Sequence, residues 1–336
     1  IYLLQAIGAA ATCGIYAWIS LQTWRMAGGR GLFFPAVAAF ALVCWPEALR
    51  VQMAPWYFVW QELSLAVVFA LGRRWIMKPV RRRAGAVGTA GGLAALVNPV
   101  PAAWLGWLVV SAWFDARRRK QTLFVMGATL LIVAPWTVRN AIELGAVIPV
   151  RSNLGIELRQ GNNPSGSIRQ TRDSLHPGLQ SEELERFQAM GEPEYARQAM
   201  RDALAYIARH PLVSLRRFAQ RVYVYWFTDI LDSWPWQPGP PWWEGGALEW
   251  LKQLVHIGAA VVPLAACIVL GLTGQLRGVP FLSLFMGVFV MIPLPYYLTH
   301  NNYCYSYSVQ PYLVMLGSIG AGMWLQDRRR VGGCGR

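Results

Sequence analysis

APWTVRNAIELGAVIPVRSNLGIELRQGNNP, residues 134–164, is the stretch on which the fold turns. It opens as the tail of an apolar run and closes in a polar loop. Between the two it carries Arg139, Asn140, Arg151, Asn153, Asn162 and Asn163. Ionisable and amide groups at such a boundary either anchor a membrane segment or hold a polar ligand whose apolar part stays in lipid. The number of such groups gathered here points to the second.

Outward from this stretch, the composition fits a chain that lives in a bilayer. Of 336 residues, 55% are hydrophobic and 14% charged, with 17 Trp and 13 Tyr. Soluble domains carry about 25% charge, and aromatic rings of this kind collect at headgroup level. The net charge of +14 suggests nucleic acid, but its distribution argues against that partner. Residues 138–248 hold twelve Arg and twelve Asp plus Glu, whereas the remainder holds nineteen basic and five acidic residues. Those bases cluster in short loops between apolar segments, which is how orientation in a membrane is set. The five Cys have no regular spacing, so neither a disulfide framework nor a zinc site is signalled. Residue 1 is Ile, already inside an apolar run, so one or more helices are expected upstream.

Eight apolar segments follow in order. They are 1–23, 32–45, 55–71, the short pair 84–96 and 102–114 (taken together as one excursion that goes in and comes back), 121–138, and three last helices at 248–272, 279–298 and 306–325. The basic clusters at 25–30, 73–83, 117–120, 277 and 328–330 all fall on one side. Asn98-Pro99-Val100-Pro101 splits the short pair, whose halves of about 13 residues reach roughly 20 Å against a hydrocarbon core of about 30 Å. Gly88 and Gly92 have the spacing that lets a neighbouring helix come close. The expected organisation is a transmembrane region over 1–138, an extracytoplasmic region over 139–247 and C-terminal transmembrane helices over 248–336. In the middle region Ser181 is expected to N-cap a helix stopped by Gly191, and Pro193 to open another that ends at Arg209. Residues 212–227 read as a helix lying on the membrane surface, and 234–243 as an aromatic and proline connector.

Several strings resemble the membrane-embedded glycosyltransferases of the GT-C fold. They are GGLAALVNPVP (91–101), APWTVRN (134–140), PVRSNLGIELRQGNNP (149–164), HPGLQSEELERF (176–187), GEPEYARQAMRDALAYIARHP (191–211) and PYYLTHNNYCYSYSVQPYL (295–313). They are most similar to bacterial relatives of dolichyl-phosphate-mannose protein mannosyltransferases and lipid A aminoarabinose transferase. The resemblance implies an all-α polytopic protein that moves a sugar from a polyprenyl-phosphate donor to a lipid, glycan or protein acceptor on the outer face of a bacterial inner membrane. It also implies a catalytic Asp or Glu in an external loop, which would precede residue 1. Where relatives carry Arg-Tyr-Arg-Tyr, this chain reads Cys304-Tyr305-Ser306-Tyr307, so two expected cations are missing.

Such a transfer needs a carboxylate to take the acceptor's proton, and donors or a metal ion to stabilise the departing phosphate. Glu62, in an apolar segment, is the catalytic candidate; a structural partner such as Arg50 is the plainer reading. Arg139, Asn140, Asn162, Asn163, His176, His300 and Asn301 are the candidate substrate-binding residues. Each has a plainer alternative: an interfacial anchor for Arg139, a turn for Asn162 and Asn163, a local contact for His176 and an interface residue for His300. No His pair has metal-ligand spacing, and a divalent cation is expected only in company with the donor phosphate. A non-catalytic relative acting as a membrane scaffold or lipid-binding partner is the rival reading, and a transporter built on the 84–114 pair the next.

Overall fold

The structure is a computed structural model that describes residues 2–43, 57–169, 174–231, 246, 262–302 and 305–333. Every regular element among them is helical. The first six helices are α1 (Tyr2–Met26), α2 (Phe33–Val43), α3 (Phe58–Met77), α4 (Arg81–Val97), α5 (Val100–Trp113) and α6 (Arg119–Leu144). A smaller polar group follows: α7 (Leu154–Gly161), α8 (Ser181–Met190), α9 (Glu192–Arg209) and α10 (Pro211–Leu231). Last come α11 (Val262–Leu272), α12 (Leu282–Met291), α13 (Leu294–Leu298) and α14 (Gln310–Gly333). Two of these, α1 and α6, are long and apolar enough to cross a bilayer. Residues 46–53, the 234–243 connector and the start of the segment expected at 248 lie outside the described residues.

Glycine governs the closest helix contact. α4 carries Gly85, Gly88, Gly91 and Gly92, each costing about 1 kcal/mol of helix propensity relative to Ala. The offset is packing. A Cβ on Gly92 would stand 2.7 Å from Cβ of Ile132, and one on Gly88 would collide with the Val125 carbonyl, so α4 and α6 lie backbone to backbone. The Thr129 hydroxyl donates to the Gly88 carbonyl at 3.0 Å across that contact. The close approach expected of the Gly88/Gly92 spacing is therefore a packing device.

Aromatic rings fill the centre of the bundle. Phe69 of α3 lies 5.4 Å from Trp104, 5.2 Å from Phe285 and 4.9 Å from Tyr312 between ring centroids. Two of the three α5 tryptophans have their polar edges satisfied, because Trp104 and Trp107 donate to the carbonyls of Leu284 and Ser283, each at 3.0 Å. These bonds dock α5 on α12.

Several expected boundaries move. The third segment does not end at residue 71 but runs to Met77, so Arg73 is helical and buried. Its guanidinium lies over the faces of Trp18 and Phe281, which removes the need for a loop. α4 begins at Arg81, which gives the first half of the short pair 17 residues, and the break at Asn98 stands as expected. There Asn98 Oδ1 accepts from the Val100 amide at 2.9 Å and turns the chain. α6 passes through Pro135 and continues to Leu144, so Arg139 and Asn140 lie inside a helix that ends at left-handed Gly145. Ser181 is the first helical residue of α8 and makes no cap; Gln180 occupies the capping position. Residues 279–298 form two helices, interrupted at Ile292–Pro293, because proline withholds an amide donor.

Candidate functional site

Most of the polar residues singled out from sequence gather at one end of the bundle, where α3 begins, α4 gives way to α5 and α7 sits. The twenty residues of α3 separate this end from the basic one by about 30 Å. Glu62, on the second turn of α3, is 6% exposed. Its Oε2 accepts from the Tyr16 hydroxyl at 3.0 Å, the Ser308 hydroxyl lies beside the carboxylate, and Oε1 has no hydrogen-bond partner of good geometry among the described residues. Next to it, Gln61 donates to the Ser308 hydroxyl at 2.7 Å. The turn 305–308 therefore links Glu62 to the loop that holds His300. Arg50, the alternative partner for Glu62, lies outside the described residues.

Arg151 closes the same region from the loop side. It donates to the Val97 carbonyl at 2.8 Å, at the tip of the α4–α5 break, and stacks 5.1 Å above the Tyr57 ring just before α3. Glu157 of α7 accepts from Asn153 at 3.1 Å and from Gln160 at 2.8 Å. His300 lies with Nδ1 3.4 Å from the Glu157 carboxylate and Nε2 3.3 Å from the Tyr305 hydroxyl.

Asn162 and Asn163 cap α7. The Asn162 amide donates to Leu158 at 2.8 Å and to Leu298 at 2.9 Å, while Asn163 donates to Arg159 at 2.7 Å and Gln160 at 3.1 Å. Two helix C-termini, those of α7 and α13, thus converge, and Arg221 of α10 sits where they meet. Its guanidinium donates to the carbonyls of Gly161, of Leu298 at 3.1 Å and of Tyr297 at 3.4 Å. A cation against two C-terminal sets of carbonyls is well placed electrostatically. Burial, then the neighbouring Arg217, pulls Arg221 down to about 10, which still leaves it charged at neutral pH. Arg217 donates to the Asn163 carbonyl at 2.7 Å.

Two expected site residues, Arg139 and Asn140, stand elsewhere, whereas His176 lies near His300. Arg139 donates to Asn140 Oδ1 at 3.0 Å and lies 5.2 Å above Trp136, while Asn140 donates to the Ile148 carbonyl at 2.9 Å. Together they fasten the 145–150 turn to α6. His176 makes the local contact expected of a His before Pro: its Nδ1 accepts from the Gly178 amide at 2.9 Å. Burial and then the Arg159 charge hold the His176 imidazole below its ordinary value. Asn301 pairs through its backbone, donating to the Ile168 carbonyl at 2.9 Å.

Sequence reasoning passed over Glu157 and Arg159, and read Arg217 and Arg221 only as cations of a helix lying on the membrane surface. Arg159 is the hub that joins α7, α8 and α9, since it pairs with Glu183 and the Tyr195 hydroxyl in a buried cluster. Burial alone would raise the Glu183 carboxyl, but Tyr195 and Arg159 outweigh it and hold the group below the usual range. The available signal was the Glu–Leu–Arg–Gln run at 157–160, whose charges need partners if α7 is buried.

His300 sets a pH dependence. Burial first, then Arg221, depresses its imidazole from 6.5 to about 4. The unfolded chain binds the proton more tightly in that window, so stability rises with pH between about 4 and 6.5 and is complete above it. Glu157 acts in the opposite sense, because burial lifts its carboxyl above 4.5 and its contribution falls as pH rises through that range. His300→Gln removes only the first contribution, so the loss of melting temperature between pH 7 and pH 4.5 should shrink. An undiminished loss would place the titrating group elsewhere.

No protein-family model matches this chain, and no curated protein or solved structure matches it either.

Proposed function

We propose that this chain is a polytopic membrane protein of the GT-C type, with about eight spanning or half-spanning helices, that transfers a sugar from a polyprenyl-phosphate donor to an acceptor outside a bacterial inner membrane. The membrane part of this reading is supported by α6, where only 11% of the apolar window is buried. A core helix of a soluble protein would hide that window; here Leu123, Leu130, Leu131 and Val138 are all more than half exposed.

One observation carries the transfer chemistry. Glu62 is a buried carboxylate with one oxygen lacking a hydrogen bond of good geometry among the described residues, on the side of the bundle where Arg151 meets the helix break. In the proposed step Glu62 takes the proton of an acceptor hydroxyl, whose oxygen bonds to the sugar's anomeric carbon. The bond from that carbon to the phosphate oxygen breaks, and polyprenyl phosphate leaves against Arg151. Any divalent cation would enter with the donor phosphate.

The second reading, a membrane scaffold or lipid-binding relative without catalysis, draws on a different observation. The amides of Asn162 and Asn163 and the Arg221 guanidinium already donate to backbone carbonyls. An assay separates the two. The full-length protein in proteoliposomes is given a panel of radiolabelled polyprenyl-phosphate sugars with membrane acceptors. Loss of label from the lipid phosphate supports transfer, and binding without turnover supports the scaffold. Within the active preparation Arg151→Ala should raise the donor concentration needed for half-maximal rate about tenfold or more, the scale of one charge-assisted contact. Arg139→Ala should leave it nearly unchanged, and the reverse order would move the phosphate to α6.

A further inference from the structure

At the opposite, basic end of the bundle one buried cation, Arg73, has no counter-charge among the described residues. Arg73 is 2% exposed, and no carboxylate among the described residues pairs with it. Among the described residues its Nε and Nη1 have no hydrogen-bond partner, and Nη2 meets the Met26 thioether at 3.9 Å, a weak acceptor. Aromatic faces hold it in place, Trp18 at 4.9 Å and Phe281 at 5.5 Å from the guanidinium carbon. A buried guanidinium with most of its donors idle is costly unless an anion joins it.

The surroundings explain why the fold itself does not use those donors. Carbonyls near the C-terminus of α3 are already served by other cations: Arg83 donates to Arg74 at 2.7 Å and Arg118 to Ile76 at 3.3 Å. Asp115 is engaged with Arg118 at 3.1 Å. Phe281, whose ring lies 5.5 Å from the Arg73 guanidinium carbon, is the one non-glycine residue with positive φ among the described residues, at 61°. Strain of that kind persists where the surroundings require a particular side-chain position. On one side the nearest cover is the Met26 thioether, 3.9 Å from Nη2, on a residue that is 48% exposed and whose unbranched side chain adapts readily. Around this opening stand exposed cations: Arg74, 4.7 Å above the Trp18 ring, Arg25 at the end of α1, and Arg277 in the turn before Phe281.

We propose that Arg73 anchors a site for the phosphate of an anionic phospholipid headgroup, entered past Met26, with the lipid chains lying along α1 and the exposed cations selecting net negative charge. A planar fork matches a phosphodiester, and basic residues at a membrane boundary favour anionic lipid. This inference rests on the membrane part of the proposed function and is independent of the transfer chemistry.

The test uses the full chain in detergent micelles and in vesicles. Phosphatidylglycerol should raise the melting temperature by roughly 3–5 °C over an equal amount of phosphatidylcholine, and native mass spectrometry should show one retained phosphatidylglycerol. Arg73→Gln should abolish the difference, whereas Arg74→Gln should keep most of it. Should Arg73→Gln fail to fold, Arg73→Lys decides, since a point charge without the fork should retain only part of the preference. Equal response to the two lipids in the wild type, or an undiminished preference in both Arg73 variants, overturns the site. Inorganic phosphate alone giving the full shift overturns the lipid assignment. Failure of the wild type to enter vesicles of either composition would instead count against the membrane reading.

Discussion

Replacing Glu62 with Gln is expected to lower sugar transfer by about 10²–10⁴-fold while leaving the bundle folded, the range for loss of a positioned general base. The amide keeps the shape and can still accept from the Tyr16 hydroxyl, which lies 3.0 Å from Oε2. What it cannot do is take a proton. Retention of folding follows from the environment: a buried carboxylate with one oxygen short of a well-formed hydrogen bond is expensive in the native state, so its neutral isostere should hold or raise the melting temperature. Loss of turnover with an unchanged melting temperature would fit the proposed role. Full turnover in Glu62→Gln would remove this residue from the chemistry.

The second large effect is structural and concerns the joint beneath the candidate site. Gly161→Ala should destabilise the protein by about 3–5 kcal/mol, the cost of breaking a buried charged network. A Cβ at residue 161 would overlap the Thr299 carbonyl oxygen and stand 2.6 Å from Nη2 of Arg221. Both are fixed, Thr299 by the pairing of the 298–301 loop and Arg221 by three carbonyls. The new methyl group must therefore push α7 away from α13 and unseat the guanidinium. Thermal unfolding followed by tryptophan fluorescence checks this. A melting temperature within about 2 °C of wild type would show that the joint is not rigid.

Much of this architecture is legible in the residues. Apolar runs locate α1, α5 and α6, because a helix must bury or hide in lipid whatever it cannot hydrate. Gly88 and Gly92 announce a close helix neighbour, and Asn98–Pro99 announces a break. Boundaries fare worse where charge and helix coincide. Arg73 looks like the start of a loop because its stabilisation comes from Trp18 and Phe281, 55 and 208 residues away in sequence. Arg139 looks like the first residue outside a helix, yet a cation near a helix C-terminus is favoured and α6 continues through it.

The candidate site was partly legible for the same reason. Amides in a polar loop signal a turn or a ligand equally well, and only the carbonyls of Leu298, 136 residues from Asn162, show where that amide points. Arg221 could be recognised as one of a basic series on a surface helix, but its role at two converging helix ends depends on contacts at separations of 60 to 77 residues. Glu62 was conspicuous at once, since a carboxylate inside an apolar run is expensive wherever it is found.

The central claim is that a polyprenyl-phosphate headgroup docks between the start of α3, the α4–α5 break and the loop before α7. Photo-crosslinking maps this directly, with the full-length protein in proteoliposomes and a polyprenyl phosphate carrying a diazirine beside the phosphate. The account predicts light-dependent adducts on peptides containing residues 57–62, 97–104 or 149–157, diminished by excess unlabelled polyprenyl phosphate. Adducts confined to the basic end around residues 73–83, or no competed labelling anywhere, would contradict it.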